Sequence, residues 1–497
     1  MVTIPGVAIL LGSNEMVKNL PQAVVLVLLA VLVGAPILWR PAEAEPAPDA
    51  LHLVVFTPHN EQIRQEIGAA FNRWHQANYG KPVEVLWRVG GSGEIQRILL
   101  SQYKAELEQA VEQKREVRPV GYDVVFGGGD YMFDRYFKKV GVTVDDPSAE
   151  GGTRRASVSQ PIELPPSLIQ EVYGDGTIAD ARTYDPDGHW WGVILSSFGI
   201  VFNRDAIESG GLPEPMGWQD LADPRYLNLI ALADPSYSGS VRVTYNAILQ
   251  RLGWDEGWWV LRRMFANARY FATSSTKIPL DVSSGDAAAG VSIDFYGRYQ
   301  AQAVGGDRVG YVSPGGATVY LCDPVAVLNG VTGERLELAK HFIEFLLSYE
   351  GQAVWNFKVG DPDGPEHFEL RRPPVSHAMY TPERMARMVD PVNYYQIAKA
   401  LEPGTPTYMS TVSVVLHAMA IDTQDDLVGA WKAIINEQDP ARKQAMLELF
   451  DELPFTNEEL VARPAMWDDQ PDLRERDRIE WTRFFRERYG RIVKGDL

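Results

Sequence analysis

The chain has 497 residues, enough for two or three domains, and its 45% hydrophobic and 23% charged residues exclude wholesale disorder and a polytopic membrane protein. Its 66 Asp and Glu against 47 Lys and Arg give a formal net charge of −19, which excludes a broad grip on a nucleic-acid backbone. A single cysteine, Cys322, excludes a disulfide framework, a cysteine zinc site and a CxxC redox pair.

At the N-terminus, Ala23 to Trp39 is an uncharged apolar run preceded by Lys18 and followed by Arg40 and the acidic, Pro/Ala-rich residues 41–50. Ala42-Glu43-Ala44 fits a signal-peptide cleavage site, and the length of the run fits an uncleaved signal-anchor equally. Residues 1–50 therefore read as a signal peptide or anchor plus linker, with translation expected to start at Met16 and the remainder exported.

From Leu51 the pattern alternates. Leu51–Phe56 predicts a strand and Thr57-Pro58-His59-Asn60 a turn. Ile63, Ile67, Ala70, Phe71 and Trp74 then recur at helical spacing. Val83–Trp87 is the next strand, Gly90-Gly91-Ser92-Gly93 opens a helix reaching about Glu112, and Tyr122–Phe126 is a third strand ending in Gly127-Gly128-Gly129. A second α/β block is expected from about 155 to 300, with strands at 192–203, 229–234 and 290–294. Val319 to Leu328 reads as a strand returning to the first block, and Leu336 to Val354 as one amphipathic helix. Residues 381–497 read as mostly helical. This recurrence implies an α/β fold with a mainly parallel sheet, whose ligands sit beyond the carboxyl ends of the strands.

Thr57–Asn60, Gly90–Gly93, Gly127–Gly129 and Ser236–Ser240 follow strands and are rich in small residues at helix starts, where backbone N–H groups form anion-binding cups. Trp190 and Trp191 could stack on a sugar or an organic cation, whereas Trp258 and Trp259 read as core. Gly90-Gly-Ser-Gly-Glu94 departs from G-x-S-x-G at its last position, and neither H-E-x-x-H nor a P-loop occurs. An enzyme is therefore not expected. An exported hydrolase and an envelope interaction protein stand as alternatives of a different class.

TPHNEQIRQEIGAAFNRWH (57–75), GGSGEIQRIL (90–99), HWWGVILSSFGIVFNRD (189–205), GWQDLADPRY (217–226), ALADPSYSGS (231–240) and LAKHFIEFLLSYEGQ (338–352) resemble, in order and spacing, the extracellular solute-binding proteins of ABC importers, in particular the ferric-iron-type group. The resemblance covers about residues 51–380 and implies a two-lobe type 2 periplasmic-binding-protein fold with a helical C-terminal extension. Its expected parts are lobe 1 at 51–150, lobe 2 at 151–305, a return to lobe 1 at 306–380 and the extension at 381–497.

The resemblance further implies a periplasmic, monomeric receptor serving an ABC permease in the inner membrane, with a possible tether through residues 23–39 and no nucleic-acid partner. By motif position the ligand contacts would be Thr57, His59, Asn60, Ser92, Gly128, Ser197, Ser236, Ser238, Asp294 and Tyr296. Fe(III) with a synergistic anion, as transported ligand, would be held by His59, Asp130 and Tyr296. Phe295 stands where the family carries a second tyrosine, and Tyr299 lies three residues beyond Tyr296. The alternative ligand is a carboxylate, phosphate ester, polyol or sugar held without metal by Ser92, Ser197, Ser238 and neighbouring amides.

Overall fold

The computed structural model describes residues 49–497, with Leu51–Leu497 forming one unit. The expectations for a leader, a tether through 23–39 and a start at Met16 lie outside the described residues. Among the described residues no helix is long and apolar enough to cross a membrane.

The first strands and helices fall where the apolar pattern puts them. Strand β1 (Leu51–Thr57) leads to α1 (Glu61–Tyr79), β2 (Val83–Val89), α2 (Ser92–Glu112) and β3 (Val124–Phe126). Asn60 starts α1 by accepting from Ile63 N–H at 3.1 Å, the usual task of a short polar side chain at a helix start. β1 pairs in parallel with both β2 and β3.

Strand β4 (Trp191–Asn203) joins the two lobes. All of its residues are buried, so its sequence reads as a continuous apolar run rather than an alternation. Its first half pairs antiparallel with β9 (Tyr320–Val327), from Trp191–Val325 to Ser197–Tyr320. Its second half pairs with β7 (Ala289–Ile293) and β8 (Val309–Val312). With β5 (Ile230–Ala233) and β6 (Ala268–Ala272), the sheet runs β6-β5-β7-β4-β9-β3-β1-β2, and β8 pairs with β4.

Two hydrophobic cores flank this crossover. One is built on β1–β3, α1, α2, α7 (Gly333–Leu347) and α8 (Tyr349–Asn356). The other is built on the second half of β4, β5–β8, α3 (Gly239–Leu252), α4 (Trp254–Ala266) and α5 (Lys277–Ser284). Val158, Ile162, Val172, Tyr173, Trp190 and Trp191 all pack into the first core. The change of core therefore comes inside β4 and not at residue 151, because the chain crosses the cleft only when it enters that strand. The expected single helix over 336–354 is two, since Ser348 breaks it by accepting from Gly351 N–H at 3.1 Å and capping α8.

The C-terminal extension belongs to the second core. Helices α9 (Gln424–Asn436), α10 (Pro440–Asp451), α11 (Asn457–Asp469) and α12 (Pro471–Lys494) contribute Leu427, Trp431, Phe450, Trp467, Trp481 and Phe485 to it. The buried Arg262 and Arg263 of α4 secure this contact. Arg262 donates to Phe450 O and to Glu452 O, and Arg263 forms a fork on the Asp451 carboxylate at 2.8 Å through each arm. Trp259, one residue from the buried Trp258, is on the outward face of α4 at 40% exposure and stacks on Arg263, so it is not core.

Candidate ligand cleft

Loops from both lobes meet around a cavity of about 500 Å³. From lobe 1 come His59, the start of α2 at Gly91 and Ser92, Gly128, Gly129 and Asp323. From lobe 2 come Ser238, Gly239 and Ser240 at the start of α3, and Thr273–Thr276 before α5. Ile293, Phe295 and Tyr296 bring the start of α6 (Asp294–Ala303) to the same space. The first N–H groups of a helix lack intrahelical partners and carry partial positive charge, so these starts aim donors from both lobes at one volume. Arg97 adds a guanidinium, which stacks across the cleft on Tyr237 at 5.6 Å.

The lobes touch around this cavity. Gly239 N–H donates across it to Ser92 Oγ at 2.9 Å. A Cβ on Gly93 would lie 2.8 Å from Ser236 O, so the absence of a side chain there permits the approach. Gly128, at φ +116°, is similarly confined, because a Cβ would meet Met132 Cε at 2.5 Å and Ser92 Cβ at 3.3 Å.

The lobe 1 wall is a largely buried polar cluster. Thr57 donates its only hydroxyl proton to Phe126 O at 2.7 Å, so His59 Nδ1, 2.9 Å away, is the donor to Thr57 Oγ1. His59 Nε2 then carries a lone pair and accepts from Arg372 Nη1 at 3.0 Å. Burial lowers the His59 pKa despite the pull of Asp323, which keeps this ring neutral. Arg372 Nη2 also donates to Asp323 Oδ2 at 3.0 Å and to Ser196 Oγ at 2.9 Å, and Gly128 N–H donates to Asp323 Oδ1 at 2.9 Å. Burial works against charge on Asp323, but the Arg372 guanidinium on Oδ2, with the Gly128 N–H on Oδ1, outweighs it and holds the carboxyl below the usual carboxylate range.

Of the expected ligand residues, His59, Ser92, Gly128, Ser238 and Tyr296 line the cavity. The others do not, each for a physical reason. Thr57 is committed to Phe126 O and His59, and Asn60 to the cap of α1. Ser197 faces away from the cavity toward Asp294, Ser313 and Tyr394, while its neighbour Ser196 faces in, because successive side chains on a strand point to opposite faces. Asp294 is fully buried, accepting from Ser197 N–H at 3.0 Å, Tyr394 Oη at 2.7 Å and Phe295 N–H at 2.8 Å. Ser236 turns behind the loop to His417 Nε2 at 2.9 Å.

The expected metal set is not assembled. Asp130 does not line the cavity, and burial raises its pKa to about 6. Both ring nitrogens of His59 are engaged, one by the cation Arg372. Burial raises Tyr296 to about 12, so it is a neutral phenol suited to donate. Tyr299 does not line the cavity either. Among the described residues no three His, Cys, Asp or Glu side chains gather in a way that could hold a metal ion. Trp190 and Trp191 are each 2% exposed in the first core, Trp191 stacked on Tyr184, and neither reaches the cavity.

The extension reaches both sides of the cleft. His417 bridges Asp234 at 3.0 Å and Asp422 at 3.4 Å, behind the Ser236–Ser240 loop. Toward lobe 1, Ser410 Oγ and Tyr131 Oη share a hydrogen bond at 2.6 Å, and Arg135 pairs with Asp468 at 2.5 Å.

Residues 166–367 match the family of bacterial extracellular solute-binding proteins. Over 166 residues the chain is 29% identical to the phosphoglycerate transport regulatory protein PgtC of Salmonella typhimurium. That match spans 33% of this chain and 39% of that protein, so the chain covers about two fifths of the length of its curated relative. The fold is similar to the periplasmic binding protein AfuA of Actinobacillus pleuropneumoniae, solved with fructose-6-phosphate bound, with a TM-score of 0.51 and 16% identity over 76% of this chain and 97% of that one. A substrate binding protein of an ABC transporter from Agrobacterium tumefaciens gives a TM-score of 0.50 and 18% identity over 70% and 89% of the two chains. The expected two-lobe type 2 periplasmic-binding-protein fold with a helical C-terminal extension is the fold observed.

Proposed function

We propose that the chain is the exported receptor of an ABC import system and captures a small organic anion, a phosphate ester or a carboxylate, by closing its lobes. The observation that carries this reading is the convergence of helix starts from both lobes on one hydroxyl-rich cavity. An anion there meets N–H donors, Ser92, Ser196, Ser238, Ser240 and Tyr296 as further donors, and the Arg97 charge. Its apolar or hydroxylated part lies against Phe198, Val243, Ile293 and Phe295. About 500 Å³ suits an organic molecule, whereas an ion with one small anion fills only a few water volumes of about 30 Å³ each.

The relatives support the same class, since one is named for phosphoglycerate transport and another was solved with fructose-6-phosphate. Arg372 beside His59 supports an anion over Fe(III), because a cation would have to displace the guanidinium and deprotonate Tyr296.

For mechanism, a ligand bridging α2 and α3 favours the closed form only by binding it more tightly than the open one. The closed surface then meets a membrane permease, which supplies the energy for release. Lobe closure changes the surroundings of cavity aromatics while no bond of the solute is broken. The test is equilibrium dialysis with phosphoglycerate, fructose-6-phosphate, inorganic phosphate and ferric citrate, with products analysed. Retention of an ester or carboxylate unchanged supports the reading. Retention of iron alone, or turnover of the ester, overturns it.

A further inference from the structure

Behind the Ser236–Ser240 loop lies a second cavity of about 300 Å³, where the extension meets lobe 2. Its walls include Ser236, Ser413, His417, Arg474, Glu475 and Arg478. Ser413 is 4% exposed and its hydroxyl has no partner, an arrangement that costs stability unless something hydrogen-bonds to it. Arg474 lies over the Trp467 ring at 5.8 Å and forms no ion pair among the described residues. Arg242, half-buried on α3 with its guanidinium over the Tyr131 ring, also lacks a carboxylate partner among the described residues. Burial first, and then repulsion by Arg474, lower its pKa. The carboxylates nearby are already taken. Glu475 accepts a fork from Arg478 at 2.7 and 3.1 Å, and Asp234 is held by His417.

We infer that this cavity is a second binding site, for a phosphate-sized oxyanion, with Arg474 as its unpaired charge and Ser413 as a donor at its buried end. The oxyanion accepts from the Arg474 guanidinium and the Ser413 hydroxyl, with His417 and Arg478 at its flanks. Ser236 forms one wall here, while Ser238 and Ser240, two and four residues on, line the main cleft. The two sites therefore share one loop but have different linings.

The test titrates the full chain with inorganic phosphate and, separately, with glycerol phosphate, counting bound equivalents by dialysis. The comparison is wild type against Arg474→Gln, Ser413→Ala and, as a control in the main cleft, Ser238→Ala. One bound equivalent should weaken about tenfold or more in Arg474→Gln and Ser413→Ala, persist in Ser238→Ala, and return partly in Arg474→Lys. Binding of phosphate but not of the ester identifies the free ion as the occupant, and preference for the ester identifies a phosphorylated metabolite. Equivalents unchanged by Arg474→Gln and Ser413→Ala in folded protein overturn the inference, as does the absence of any equivalent that survives Ser238→Ala. Should Ser413→Ala fail to fold, Arg474→Gln at the exposed end decides alone.

Discussion

The two walls of the cleft are built on different principles. On lobe 1, His59, Asp323, Arg372 and Ser196 form a closed hydrogen-bonded cluster in which a buried cation and anion neutralise one another. On lobe 2, Ser238, Ser240 and Thr273–Thr276 present hydroxyls and helix starts whose internal contacts are Ser238–Ser240, Ser240–Ser275 and Ser274–Thr276. The first wall is fixed before a solute arrives; the second keeps its donors for the solute. Lobe 1 thus carries a stabilising cluster beside its own ligand donors, Ser92 and Arg97, whereas the lobe 2 wall offers donors alone.

Breaking the first wall should have the largest effect. Arg372→Met leaves Asp323 without its cation and should cost about 3–5 kcal/mol in urea unfolding, the usual result of breaking a buried pair. A loss below about 1 kcal/mol would place the cluster among ordinary surface pairs. Ser238→Ala should leave that midpoint unchanged and weaken solute binding by about 1–3 kcal/mol, read by calorimetry. Equal affinity would remove Ser238 from the contact set.

A smaller effect is expected between the lobes. Tyr131→Phe removes the hydrogen bond to Ser410 and should cost about 0.5–1.5 kcal/mol of apparent affinity by weakening closure, with a larger scattering radius in the solute-free protein. An unchanged radius and affinity would mean that this contact does not help to hold the lobes together.

The smallest effect is one of sign. His59 has a lowered pKa through burial, so its stabilisation is present above the unfolded histidine value of about 6.5 and is lost as pH falls below it. Burial also disfavours charge on His417, but Asp234 and Asp422 raise its pKa overall. Its stabilisation is therefore present below about 6.5 and is lost as pH rises through the folded value. His417→Gln should flatten the alkaline slope only. If it flattened the acid slope instead, the assignment of charge to the two walls would be reversed.

Much of the frame was legible because apolar spacing and cap residues act locally. Leu51–Phe56, the Asn60 turn and the Gly90–Gly93 start were readable from a few neighbouring residues each. What failed was parity and distance. In β4 every residue is buried, so no alternation revealed that Ser196, rather than Ser197, turns to the cavity. Asp294 looked like a cleft carboxylate, but Tyr394, 100 residues on, takes it into the interior. Arg372 belongs to an irregular Arg-Arg-Pro-Pro segment, and nothing in its local pattern announces a partner 313 residues away in His59. The extension read as helical, but its grip on α4 through Arg262 and Arg263 depends on burying arginines, which composition alone would place outside.

The most direct test of the central claim is native mass spectrometry of the full chain recovered gently from its own envelope, followed by denaturation and identification of what is released. One organic phosphate or carboxylate is expected, freed intact and without stoichiometric metal. A ferric ion released in stoichiometric amount, with a phenolate absorption band that Tyr296→Phe abolishes, would contradict it.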